Sequence, residues 1–256
     1  MKKFSLLFTV LVLLLAVNNK TVVAAEWHSG IYVAPKLSYN YVVMDKLRME
    51  LYRPSGDRDS LSKGKNDDSF GLALAVGYDF DKRLGVPVRT ELEYSYLGRA
   101  SGSAAYREDL PSIPAIGTVT YKQKMNIQTV FLNAYFDINT GTPFTPYIGG
   151  GIGFAMIGVK KAKAVTTISP FSGTSISNPV SVGSKSQTNF AWNIGAGIGW
   201  DITPTITLDL GYRYMMLGEA RSKWGNASGG ASMAFYRTKV DDVNIHQVQL
   251  ALRYTF

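Results

Sequence analysis

Val243-Asn244-Ile245-His246-Gln247-Val248-Gln249-Leu250-Ala251-Leu252-Arg253-Tyr254-Thr255-Phe256 ends the chain, and the other segments are best understood through it. From Val248 on, Val248, Leu250, Leu252, Tyr254 and Phe256 share one face, and Gln249, Ala251, Arg253 and Thr255 share the other. Strict alternation is the mark of a strand that meets unlike surroundings on its two sides. One such strand fits a soluble sandwich equally well. Recurrence of the pattern is what distinguishes the two.

The same pattern returns at Gly30–Val43, Ser69–Asp79, Val88–Leu97, Tyr121–Ile138, Pro146–Val159, Thr188–Ile202 and Thr205–Leu217. In the second of these, Phe70, Leu72, Leu74, Val76 and Tyr78 oppose Gly71, Ala73, Ala75 and Gly77. Pro35 cannot donate to a ladder, so the first strand is expected to carry a bulge or one missing hydrogen bond there. The connections alternate. Met44–Asp67, Gly98–Thr120, Lys160–Gln187 and Gly218–Asp242 are long and read as solvated loops, while Phe80–Pro87, Asn139–Thr145 and Thr203-Pro204 are short. This rhythm predicts an all-β fold: an eight-stranded antiparallel up-and-down transmembrane β-barrel with three short periplasmic turns and four long extracellular loops. An even strand number puts both mature termini on the periplasmic side.

In hydrocarbon every backbone N–H and C=O needs a partner, so a spanning sheet must close, and the first strand must pair with the eighth. A soluble lipocalin-like barrel would hide its large apolar residues inside. Here the face opposite them carries Lys36, Glu91, Glu93, Asp209, Arg213 and Arg253 among glycines, so the expected polarity is inverted, with these charges paired across a narrow lumen. Eight strands leave an interior just wide enough for side chains to fill. A packed polar plug is expected there, with a narrow or gated water path as the alternative. Trp200, Tyr254, Phe256, Tyr78 and Phe136 fall near the periplasmic ends, and Trp192, Tyr39, Tyr41 and Tyr96 toward the outer ends, as two aromatic girdles.

The start of the chain reads differently. Met1-Lys2-Lys3 precedes an apolar run from Phe4 to Val17, and Val23-Ala24-Ala25 offers small residues to a peptidase. Residues 1–25 are expected to be a signal peptide cleaved after Ala24 or Ala25, leaving 26–256 as the barrel domain. The apolar run is too short to span a bilayer as a helix. The 256 residues include no cysteine, which excludes disulfides and thiolate metal sites, and no cofactor or metal site is predicted.

Pro146-Tyr147-Ile148-Gly149-Gly150-Gly151-Ile152-Gly153, Asn133-Ala134-Tyr135-Phe136-Asp137, Leu210-Gly211-Tyr212-Arg213-Tyr214 and the terminal Leu252-Arg253-Tyr254-Thr255-Phe256 resemble the small eight-stranded outer-membrane barrels. That group includes opacity-type proteins, the OmpA membrane domain and rickettsial-type surface antigens, and the resemblance covers the whole mature chain. It implies a bacterial outer-membrane location, surface exposure, and adhesive or immune-facing roles, sometimes with weak pore activity. A terminal Phe256, with Tyr254, implies recognition by the outer-membrane assembly machinery. No cell-wall-binding domain is expected beyond the barrel, so a tether of the full-length OmpA kind is not implied.

Some barrels of this size modify lipids, a chemistry that needs catalytic side chains. The only histidines are His28, before the first strand, and His246, toward the outer end of the eighth. They are expected on opposite sides of the membrane. His246-Gln247-Val248 departs from the His-x-Ser arrangement of lipid A deacylases, and His246 reads as a girdle residue. Lys160, Lys161, Lys163 and Lys185 make the third loop basic, with no acid between Asp137 and Asp201. They are candidate contacts for lipopolysaccharide phosphates or acidic glycans. Nucleic acid is excluded as a partner by export to the surface. The sequon Asn226-Ala227-Ser228 carries no weight in a bacterial protein, and Gly149–Gly153 lacks the Lys-Ser/Thr and helix of a phosphate loop. The function expected is a non-enzymatic surface barrel that displays loops for adhesion. A small pore is the alternative, and a lipid-modifying enzyme the least favoured.

Overall fold

The computed structural model describes residues 30–46, 48–52, 58–62, 65–110, 115–160, 162–170, 176–226 and 235–256. The expected leader and His28 lie outside them. In chain order the strands begin with β1 (Ile31–Asp45), β2 (Arg48–Tyr52), β3 (Arg58–Ser62), β4 (Lys65–Asp79) and β5 (Val88–Leu110). They continue with β6 (Ala115–Asp137), β7 (Phe144–Val159), β8 (Ala162–Pro170), β9 (Ile176–Val182) and β10 (Lys185–Thr203). The last are β11 (Ile206–Met216), β12 (Ala220–Arg221), β13 (Gly225–Asn226), β14 (Phe235–Val240) and β15 (Asp242–Thr255).

Eight of these close into a barrel in the order β5-β4-β1-β15-β11-β10-β7-β6, and β6 pairs back onto β5. Every pairing is antiparallel. The first and last barrel strands zip together, and the Phe256 N–H donates to the Ile31 carbonyl at 2.9 Å, so the ladder runs to the last residue. At Pro35 the register is unshifted. Val33 faces Tyr254 and Lys36 faces Ala251, but Ala34 and Pro35 have no partner on β15. The missing donor therefore opens the ladder without a bulge. A bulge does occur on β5 between Tyr96 and Arg99, where Gly98 takes φ +84°. The first short turn also holds a four-residue helix, α1 (Asp81–Leu84), ended by Gly85 at φ +65°.

Outward faces are apolar. Leu37, Phe70, Leu92, Leu132, Ile152, Ile194, Leu210 and Leu250 are all exposed at the barrel surface, Phe70 to 79%. The girdles flank this band: Phe144 stacks on Trp200 (6.2 Å) and Tyr254 meets Phe256 (5.0 Å) at the inner end, while Tyr39 meets Phe70 (5.6 Å) and Trp192 meets Tyr214 (5.9 Å) farther out. Inward glycines make room for large side chains. A Cβ on Gly77 would strike the Tyr32 ring, and one on Gly197 the Tyr147 phenol.

Two expectations need correction. The long loops are not plain solvated loops. The β5–β6 hairpin runs on from Arg99↔Asn126 to Leu110↔Ala115, and β8 and β9 add to it along β6. Strands β12, β14, β2 and β3 form a second outer sheet, with β13 on β14. The sequence of these segments mixes charged residues, Ser and Thr with the apolar ones, so no long apolar alternation marks them. The interior is also not polar throughout. Toward the outer end it becomes an apolar stack in which Met44, Met125, Ile127, Phe131, Ile157, Met215, Leu217 and Ile245 are fully buried. These residues continue the inward alternation of their strands past the charged layer, starting from Phe131, which pairs with Glu93 at its edge.

Candidate functional site

Four inward charged groups from β1, β5 and β11 form one cluster. Lys36 pairs with Glu91 and, at 2.7 Å, with Glu93, and Arg213 pairs with Glu93 from across the barrel. The Glu93 side chain is completely buried. Asp209 and Arg253 form their own pair at 3.3 Å. The inward alternation of β1, β5, β11 and β15 places all six here, since residues two apart on a strand share a face. Arg89 and Asp137 form a further buried pair, at 2.6 and 2.9 Å, which the sequence analysis missed. Both share the inward parity of their strands, so extending the alternation to the strand ends would have found them.

Neutral groups complete the layer. Tyr135 donates to Glu91 at 2.8 Å, Gln247 to Asn40 at 2.6 Å and Asn193 to Asn133 at 2.9 Å. A cavity of about 10 Å³ remains among Tyr32, Lys36, Arg89, Tyr147, Asp209 and Arg253. It has room for about one water, and Asp209 Oδ1, which has no hydrogen-bond partner, belongs to one of its lining residues. Buried ions are tolerated only when paired and hydrogen-bonded, and this layer meets that demand almost everywhere. Its chemistry is that of a structural plug. Above it, the inward side chains are mostly apolar and buried.

Of the third loop's four lysines, Lys160 and Lys185 have described side chains. Lys185 sits opposite the buried Val159, whereas Lys160, just past the end of β7, is exposed. Lys161 lies outside the described residues, and Lys163 is paired through its backbone with Lys122 and Ser181. His246 is on the lipid-facing side. Its Nδ1 lies 2.7 Å from the Tyr212 hydroxyl, with the Tyr214 ring at 5.3 Å and that of Tyr41 at 6.3 Å. Among the described residues no group of three or more His, Cys, Asp or Glu side chains is arranged to hold a metal ion.

Comparison with known proteins agrees with this geometry. PagN of Salmonella typhimurium, an outer membrane protein, is 29% identical over 166 residues, which cover 65% of this chain and 65% of PagN. This chain thus spans just under two thirds of that relative. The opacity protein opA58 of Neisseria gonorrhoeae is 29% identical over 270 residues, covering 91% of this chain and 98% of opA58. The crystal structure of OprG from Pseudomonas aeruginosa superposes with a TM-score of 0.50 at 11% identity, covering 89% of this chain and 97% of OprG, a likeness of fold alone. The model of the outer membrane protein beta-barrel domain matches residues 8–256. The protein is therefore an outer-membrane barrel, a member of the outer membrane protein beta-barrel domain family.

Proposed function

We propose that the barrel is a closed scaffold whose outer sheets bind ligands outside the cell, with adhesion as the outcome. The observation that carries this reading is the length of β5 and β6, 23 residues each. A tilted membrane strand needs roughly 9–11. About half of that hairpin stands beyond the bilayer, where it supports β8 and β9. A rigid sheet holding variable tips is a common way to present binding residues. The kinship with opacity proteins supports the same role. The basic character of Lys160, Lys161, Lys163 and Lys185 favours acidic partners, either host glycans or the lipopolysaccharide around the barrel.

The test is binding of cells that display the protein to a panel of glycans and matrix proteins. A variant lacking residues 102–122 should keep its heat-modifiable gel mobility, because the barrel ladder is left whole, yet lose binding. Retained binding by that variant overturns the assignment to this hairpin. The pore alternative makes a different claim. A lumen filled by ion pairs and capped by Met125, Ile157 and Ile245 should give no steady conductance in a planar bilayer, and sustained ohmic current would favour the pore.

We also infer that the protein is not an enzyme. His246 is engaged by Tyr212 on the lipid-facing side, a setting suited to a girdle and not to general-base work. Unchanged lipid A composition in a His246→Ala strain is the expected result. Residues 1–25 serve as the export leader in this reading, and Phe256 and Tyr254 as the signal read by the assembly machinery. Phe256→Ala should then slow membrane insertion in cells without altering the folded barrel.

A further inference from the structure

Trp224 is the exposed large apolar group among the described side chains of the outer sheets, 44% open to solvent. It lies too far out for the aromatic girdle. The N–H of its neighbour Lys223 donates to the Gly183 carbonyl at 3.2 Å, and Lys185, two residues past Gly183, opens β10. From Lys185 the strand runs roughly 23 Å before it reaches Trp192 of the outer girdle. The segment that carries the indole is held firmly. The Ser222 N–H donates to the Thr238 carbonyl (2.9 Å), and the Ser222 hydroxyl accepts from the Thr238 N–H (2.8 Å). A Cβ on Gly183 would come within 3.0 Å of the Lys223 Cβ, so the turn before β10 packs closely against this segment. From β14 the Arg237 guanidinium lies over the ring, 4.6 Å from its centroid. Arg237 is fixed in turn by its cross-strand partner Glu50. The surroundings are charged but balanced, since Arg48 and Lys239 pair with Asp241, and Arg221 pairs with Glu219.

We propose that Trp224 is a stacking platform for a neutral hexose, whose C–H face lies on the side of the indole that Arg237 leaves uncovered. An aromatic face carries negative potential, which attracts the weakly positive C–H bonds of a pyranose ring. Trp offers a large rigid contact at little cost in conformational freedom, the more so when its neighbours already hold it. The balanced charges decide the class of ligand. Cations already paired with carboxylates gain little from an acidic sugar, whereas a neutral sugar needs the ring and a few hydrogen-bonding groups around it. A protein partner would need a wider apolar centre than one ring framed by ion pairs. The inference rests on the reading of the outer sheets as ligand-binding surfaces. One stacked ring binds weakly, so the platform adds to the β5–β6 hairpin and does not replace it.

The test uses the purified, folded full-length barrel in a sugar-free detergent, captured densely on a sensor. Albumin conjugates bearing galactose, glucose or mannose, and others bearing sialic acid or sulfated sugars, are passed over it. At least one neutral conjugate should bind. Trp224→Ala should weaken that binding by at least about tenfold, because several sugars on one carrier multiply the loss. Trp224→Tyr keeps a ring and should keep most of it. Lys223→Gln removes the neighbouring charge without touching the ring and should leave it unchanged. Heat-modifiable mobility checks the fold of each variant. The variant lacking residues 102–122 should still bind the neutral conjugate, so failure of the platform and failure of the hairpin are read separately. Absence of neutral binding, or its survival in Trp224→Ala, overturns the proposal and leaves the adhesion reading standing. A matrix protein held through Trp224 in place of any sugar would assign the ring to a protein partner and overturn the hexose.

Discussion

Glu93 shows what a single residue does in this interior. It is fully buried and receives both Lys36 and Arg213, so its charge is the hinge of the network. Glu93→Gln keeps the volume but leaves Arg213 without its ion-pair partner. The expected cost is about 3–5 kcal/mol, the usual penalty for breaking a buried pair from one side. Urea unfolding in lipid vesicles would measure it. Adding Arg213→Met should recover much of the loss, because the orphaned charge is then gone. A Glu93→Gln barrel as stable as the parent would show that the network contributes little. The network was legible because Lys36, Glu91, Glu93, Asp209, Arg213 and Arg253 keep step with their strands' alternation. Arg89 and Asp137 obey the same parity but lie at strand ends, where the boundary of the pattern is hardest to place.

At the scale of elements, the outer sheets are where sequence and structure part. β2, β3, β8, β9 and β14 are short or interspersed with charged residues, Ser and Thr, so no sustained apolar-polar period marks them in the sequence. Their pairing is held by local contacts such as those around Asp241. This residue pairs with Arg48 and Lys239, each at 2.8 Å, and so ties β2 and β14 to the start of β15. Its bond to Lys239, with the charges of Lys239 and Arg48, holds the Asp241 carboxyl below the ordinary carboxylate value. A carboxyl depressed on folding adds stability that is present above its unfolded pKa, about 3.9, and fades as pH falls through the lower folded value. The protection factors of β2 and β14 amides, relative to those of the barrel strands, should therefore be alike at pH 7 and pH 5 and lower near pH 3. Loosening already at pH 5 would place the controlling group elsewhere. The open ladder at Pro35 belongs to this scale too. Its cause was readable from the missing N–H, and only the register showed that no residue had been inserted.

For the whole molecule the governing fact is inverted polarity, with paired charges and then an apolar stack filling the middle, and aliphatic side chains facing lipid. The even strand count, the alternating connections and the closure of β1 on β15 were all legible because hydrocarbon permits so few solutions. The division of the interior into two layers was not. Inward Met, Ile and Val at the outer strand ends look, one strand at a time, like a weakening of the pattern, and only closure stacks them together. The chain lacks cysteine, so single spin labels can be placed without background. The most direct measurement is a nitroxide scan of β15 and β11 in lipid bilayers, comparing collisions with dissolved oxygen and with a water-soluble nickel chelate. Labels at Val248→Cys, Leu250→Cys and Leu210→Cys should collide freely with oxygen, and those at Gln249→Cys, Ala251→Cys and Gly211→Cys should be shielded from it, in strict alternation. Shielded labels at Leu250 and Leu210 with oxygen-exposed labels at Gln249 and Ala251 would contradict the account at its root.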